Sequence, residues 1–308
     1  FSILTLPKLY MANNAALEGR PIDLPHYNSH IQRMGRIIII SSSIAPMVGL
    51  AMTAAISFGS IASALGATVA PHRAFYEMQI GNADQNSNVQ AVTGRSAFTL
   101  GRDCNGWQSN EDYVIEFRGK EGDTNRIISR FESWESDAGD MYSFEISEQS
   151  TFQTKKDFNG YANVTSEAGN AYFSMADESP MKLPADTYFP MRHLKAIIDG
   201  AEQGKTILAA SVFTGADPDD ALLATNTVIG SWKVEAPAAR LGAFGKNGYW
   251  PVQTAYFKPM AKAAEPEYEI NYSMQPNGVV RRYVIDYGDF TIIARLMKLE
   301  AVAAPSCP

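Results

Sequence analysis

The sequence is poor in the residues from which active sites and metal centres are built. Among 308 residues there are only two cysteines, Cys104 and Cys307, and four histidines. His26 and His30 precede a long uncharged run, so the chain beyond it holds only His72 and His193. Two histidines and two cysteines that can pair with each other do not supply a structural zinc site. No G-x-S-x-G elbow is present, and Gly101-Arg102-Asp103-Cys104-Asn105-Gly106-Trp107 lacks the Gly-Lys-Ser/Thr ending of a phosphate loop. The acidic loop Thr214-Gly215-Ala216-Asp217-Pro218-Asp219-Asp220 gathers oxygen atoms, but without the spacing or closing Glu of an EF-hand it reads as a solvated turn. His193 reads as a helix residue at a packing boundary. No catalytic residue, metal or cofactor is therefore assigned, and the chain reads as a non-enzyme.

Basic residues are scarce as well, 26 Lys+Arg against 33 Asp+Glu for a net charge of -7. Residues 1–64 hold four basic and two acidic side chains, and residues 65–308 carry 22 Lys+Arg against 31 Asp+Glu. So acidic a surface has no electrostatic footprint for nucleic acid. It favours solubility and a basic partner.

Charge is missing altogether from Ile37 to Pro71, directly after Arg33 and Met34-Gly35-Arg36. A positive start, an apolar run and the small-residue exit Ala62-Ser63-Ala64-Leu65-Gly66-Ala67 form the pattern of a secretory signal over 34–67, with cleavage near Ala64 or Ala67. A retained anchor is the competing reading, because the run is long enough to span a bilayer. Pro46, several serines and the exit favour cleavage and no stable membrane span. Residues 1–33 are read as an upstream extension with no fold assigned, and 68–308 as a single domain. Export to the periplasm places Cys104 and Cys307 where lone cysteines pair. Such a bridge would stabilise by up to roughly 5 kcal/mol in the chain-entropy account. Two unpaired buried thiols are the alternative.

What the sequence has in plenty is period-two alternation of apolar and polar residues in short runs broken by Gly, Asn and Asp, the pattern of half-buried antiparallel strands. Runs at 113–118, 126–135 and 141–147 are clear, the last two joined by Asp137-Ala138-Gly139-Asp140. Shorter ones are expected at 74–80, 94–100, 171–174, 207–213, 227–232 and 254–257. The hairpin 268–274 and 279–285 turns at Pro276-Asn277-Gly278, and a last strand comes at 290–299. The alternating aromatics, among them Tyr76, Phe98, Phe117, Phe144, Tyr172 and Phe173, are assigned mostly to the core, and Trp107 to packing beside Cys104. A dozen or more strands cannot stay open and flat without exposing their edges, so the sheet is expected to curl into a spiral or open barrel. Met191, Leu194, Ile197, Ile198 and Ala201 alone fall at helical spacing. They mark one amphipathic helix, capped by Asp186 or Thr187, begun at Pro190 and ended at Gly204, whose apolar stripe faces the curled sheet or a cavity within it.

Several of these motifs together resemble the alphaproteobacterial cell-envelope integrity family EipB: His72-Arg73-Ala74-Phe75-Tyr76, Gly94-Arg95, Cys104-Asn105-Gly106-Trp107, residues 183–193 (LPADTYFPMRH), Ala196–Ala201, Val228-Ile229-Gly230 and the terminal cysteine. The likeness covers about residues 70–308. It implies a periplasmic β-spiral wound around one helix, a disulfide matching Cys104 and Cys307, a role in envelope integrity and a periplasmic tetratricopeptide-repeat partner. Its cup-like shape is also similar to that of periplasmic lipoprotein carriers. The expected function is thus a non-enzymatic envelope protein acting through a protein partner. The alternative is a carrier of a lipid or small apolar ligand.

Overall fold

The computed structural model describes residues 68–174, 180–259 and 265–307. The expected signal at 34–67, its cleavage positions Ala64 and Ala67 and the extension 1–33 lie outside them. Within the described residues, strands β1 (His72–Ala83), β2 (Val89–Arg102), β3 (Gly106–Gly119), β4 (Thr124–Ser136), β5 (Met141–Ser150), β6 (Lys156–Val164), β7 (Gly169–Phe173) and β8 (Met181–Leu183) precede a single α-helix, α1 (Pro190–Glu202). Strands β9 (Ile207–Phe213), β10 (Leu222–Ile229), β11 (Trp250–Phe257), β12 (Tyr268–Met274), β13 (Val280–Asp286) and β14 (Phe290–Ala301) come after it, with a short 3-10 segment at Ala239–Phe244.

All fourteen strands join one antiparallel sheet in the order β8-β7-β6-β5-β4-β3-β2-β1-β14-β13-β12-β11-β10-β9. Successive hairpins build each half, and β1 pairs with β14 to join them, His72 opposite Ala301. Because strand side chains alternate between faces, every second residue is buried: Trp107, Ser109, Glu111, Tyr113, Ile115 and Phe117 in β3, and Asn125, Ile127, Ser129 and Phe131 in β4. The turns match their backbone demands. Gly278 closes the β12–β13 hairpin at φ 78°, and Gly139 closes β4–β5 at φ 68°, conformations a side chain disfavours.

The sheet does not close on itself. Instead of pairing with β8, the end of β9 and the corner after it tuck against the inner side of β5–β7. Phe213 is fully buried, its ring 5.7 Å from Phe144, 6.1 Å from Phe173 and 6.2 Å from Phe189. Tyr142 stacks on Phe189 at 5.1 Å, and its hydroxyl donates to the Thr214 carbonyl at 3.0 Å. The edge of β9 is partly covered by the stretch before α1, since Tyr188 N–H donates to Ser211 O and Phe213 N–H donates to Tyr188 O. The sheet is therefore a spiral, and α1 packs on β9 and β10 at its open side.

The structure corrects several local expectations. Strands β6 and β8 were not expected: Gly160 interrupts the apolar face of the first, and the second is three residues long. β10 runs Leu222–Ile229, ahead of the expected 227–232, leaving Trp232 beyond the strand, where it packs on Trp250 at 4.9 Å. His72 is buried in β1, with Nδ1 2.7 Å from Ala70 O and its ring between Phe98 and Phe244. Tyr172 leaves the core, because it and Phe173 are adjacent in β7 and only one of two neighbours can face inward. The cap of α1 is neither Asp186 nor Thr187 but Phe189, which offers no side-chain acceptor.

Replacing Phe213 by Ala removes the ring that holds the two ends of the sheet together. We expect a loss of about 3–5 kcal/mol in urea unfolding, the range for a fully buried Phe. A loss below about 1 kcal/mol would show that the corner is not part of the cooperative core.

Candidate functional site

The expected site residues converge at one end of the spiral. Cys104, in the β2–β3 turn, is disulfide-bonded to Cys307 with 5.4 Å between Cα atoms and 203 residues between them in sequence. The turn is shaped by Asp103, whose Oδ1 accepts from Asn105 N–H at 2.8 Å and Gly106 N–H at 2.7 Å, while Oδ2 accepts from Trp134 Nε1 at 2.8 Å. The bond from Asn105, helped by those from Trp134 and Gly106, holds the Asp103 carboxyl below the usual carboxylate range. The bridge thus fastens the strandless tail after β14 to a turn that is already rigid.

Next to the bridge, Trp107 is buried and flanked by two cations, Arg102 at 4.9 Å and Lys195 of α1 at 5.1 Å from its ring. Arg102 also pairs with Asp137 at 2.7 Å. Trp107 is a packing residue, as expected, and it links the disulfide turn to the helix.

The first turn of α1 is anchored from a distance. Glu135 of β4, only 3% exposed, accepts from Met191 N–H through Oε2 at 2.6 Å and from Arg192 N–H through Oε1 at 2.7 Å. Two orphan amides of the helix start are thereby satisfied by one carboxylate. Burial pushes this carboxyl up to about 7, against the pull of the two N–H donors. Arg192 lies over Gly139 of the β4–β5 turn, where a Cβ would come within 2.9 Å of its Cδ, and its guanidinium stacks 4.5 Å from the Tyr188 ring. The sequence gives no sign of this cap, since Glu135 and Met191 are far apart and each looks ordinary in its own strand or helix.

Met191, Leu194, Ile197 and Ile198 are all buried on the packed side of α1. The helix reaches the β12–β13 hairpin as well, where a Cβ on Gly278 would lie 3.6 Å from Leu194 Cδ2. His193 is buried too. Burial lowers it to about 4, so it is neutral at ordinary pH, and its Nε2 has no hydrogen-bond partner among the described residues. In the acidic loop, Asp217 pairs with Lys156 of β6 and Asp220 with Lys258 at 2.9 Å, so these carboxylates fasten a corner. No group of three His, Cys, Asp or Glu side chains close enough to hold a metal occurs among the described residues.

Inside the spiral, a polar row was not anticipated. Ser96, Tyr113, Ser129 and Glu148 are cross-strand neighbours on β2 to β5, and Tyr113 OH donates to Glu148 Oε2 at 3.0 Å. Beside them Glu111 is 4% exposed, and burial raises its carboxyl to about 8. Ser96 Oγ, Ser129 Oγ and Glu111 Oε2 are buried without a well-formed hydrogen bond among the described residues, although Ser96 interacts with Glu111 and Ser129 with Tyr113 and Glu148. These residues sit at core positions of the alternation, which in the sequence reads only as imperfect apolar patterning. No described helix is long and apolar enough to cross a membrane.

Comparison with known proteins gives concordant results. A family model described as EipB-like matches residues 63–303. The cell envelope integrity protein EipB of Brucella abortus (strain 2308) is 28% identical over 249 residues, covering 79% of this chain and 88% of the relative. A crystal structure of a β-barrel-like protein of a domain of unknown function, DUF1849, from Brucella abortus superposes with a TM-score of 0.71 at 27% identity, covering 77% of this chain and 100% of that one.

Glu135→Ala is expected to lower stability by about 1–3 kcal/mol, since two buried amides lose their acceptor together. Hydrogen exchange at Met191 and Arg192 checks the cause. If those amides stay as protected as in the unaltered protein, the carboxylate is not the cap that holds the helix.

Proposed function

Because this chain belongs to the EipB-like family, we propose that it is an exported, non-enzymatic periplasmic protein that maintains cell-envelope integrity by binding a protein partner. The observation that carries this reading is the family match together with a relative named for cell envelope integrity. The Cys104–Cys307 bond supports it, since a disulfide persists in an oxidising compartment. So does the charge-free stretch from Ile37 to Pro71 after Arg36, which fits a leader cleaved near Ala64 or Ala67. The buried, neutral His193 and the lysine-bound carboxylates of the acidic loop offer no activated nucleophile or base, which favours a binding role. A tetratricopeptide-repeat protein is the class of partner proposed.

The second reading, a carrier of a lipid or small apolar ligand, is favoured by one observation. The Ser96, Ser129 and Glu111 atoms without a well-formed hydrogen bond lie inside the spiral among Tyr76, Tyr113 and Tyr283, where the polar head of an amphiphile would find acceptors.

Deleting the gene is expected to sensitise cells to detergent, and the full chain to restore resistance. A copy lacking residues 34–67 is expected to fail, and rescue by that copy would refute the periplasmic site of action. Protein recovered from the periplasm is expected to start at residue 65 or 68 and to weigh two hydrogens less than its reduced form. A tetratricopeptide-repeat protein cross-linked to it supports the first reading; an amphiphile seen by native mass spectrometry in its place supports the second.

A further inference from the structure

The outer face of β2–β7 carries a feature that neither the fold nor the partner reading uses. Tyr172, Tyr161, Ser143, Trp134, Gln108 and Gly101 are successive register partners across six strands, forming one outward row in which Trp134 and Gly101 are half-buried and the others exposed. Beside it runs a second row, Asn159, Glu145, Glu132, Asn110 and Thr99. Most of these side chains line an open depression of about 840 Å³. A neighbouring depression of about 680 Å³ shares Glu132 and Glu145 with it, so the trough continues along the strands.

Two properties of the trough are unusual for a solvated sheet face. Tyr161 is 56% and Tyr172 36% exposed, with their rings stacked at 4.7 Å and 18°, so a flat aromatic surface is held open to solvent. Glu132 and Glu145 stand directly opposite each other on β4 and β5, a like-charge pair that weakens a sheet. Trp134 spends its one donor on Asp103 Oδ2, which leaves the indole as an apolar platform of fixed direction. Asn110 Nδ2 donates to Glu132 Oε1 at 3.0 Å, orienting that carboxylate.

We propose that this trough binds an extended, β-linked chain of N-acetylated amino sugars. A pyranose ring is the ligand that presents an apolar C–H face and a rim of hydroxyls at the same time. Its face stacks on Tyr161 or Trp134, while its hydroxyls donate to Glu132 and Glu145. The amides of Gln108, Asn110 and Asn159 both donate and accept, as an acetamido group requires. Tyr161 and Trp134 stand two strands apart, roughly 9.5 Å, with only Ser143 between them, and that interval suits a disaccharide unit of a ribbon-like chain. A polyanion is disfavoured by the paired glutamates, and of the three cations lining the neighbouring depression, Arg95, Arg130 and Lys155, the last two are bound to Asp112 and Asp157. A lipid tail is disfavoured by the row of carboxylates and amides along the floor.

Isothermal calorimetry of the disulfide-bonded protein with the β-1,4-linked tetramer of N-acetylglucosamine tests this, with maltotetraose as the α-linked comparison. Saturable binding of the first and none of the second is expected. Tyr161→Ala is expected to weaken it about tenfold, the effect of losing one stacking platform, while the loss of its exposed stack on Tyr172 lowers the melting temperature only slightly. Glu132→Gln, which keeps shape but loses charge, is expected to weaken it less. No saturable heat with the amino-sugar tetramer, equal binding of both sugars, or full binding by both Tyr161→Ala and Trp134→Ala would overturn the proposal.

Discussion

A sheet whose two terminal strands never meet has to hide its ends some other way, and here the tuck of the β9–β10 corner beneath β5–β7 does so. Phe213 supplies the apolar contact and Tyr142 the hydrogen bond to Thr214. From that contact the position of the helix results, because Tyr188 has to run beside β9 to cover its edge and α1 begins two residues later. The helix then lands with its first turn over Glu135, and its body on β9 and β10. Spiral, edge cover and helix are thus successive consequences of one packing contact.

Much of this was legible in the sequence. The alternation at 126–135 and 141–147, the Asn277-Gly278 turn and the helical spacing from Met191 to Ala201 each rest on local rules, and β4, β5, β12, β13 and α1 lie where those rules place them. The Cys104–Cys307 pair was legible from the number of cysteines and the expected export signal. What escaped depended on partners distant in sequence. Phe189 caps the helix in place of Asp186 because the acceptor comes from β4. Tyr172 faces out because Phe173 faces in. The buried Ser96, Ser129 and Glu111 look like breaks in a pattern until the cross-strand register brings them together.

The buried carboxylates show a tension in this fold. Glu135 and Glu111 are both desolvated, and both have their carboxyl groups pushed upward by burial. Glu135 answers the cost with two backbone donors and the neighbouring Lys195, which makes it a structural anchor. Glu111 retains an oxygen without a well-formed hydrogen bond among the described residues. Groups of the second kind are where a spiral with an otherwise apolar lining departs from a plain hydrophobic core.

The pairing of β1 with β14 also sets an order of events in time. These two strands form the middle of the sheet, yet they are the first and last of the described strands in the chain, His72 facing Ala301 across the seam. Each half can grow hairpin by hairpin from local contacts, whereas the seam that unites them has to wait for β14. Cys104 likewise has no mate until residue 307 arrives. The covalent bond therefore works as a checkpoint on synthesis, which a chain that stops short of Cys307 cannot acquire.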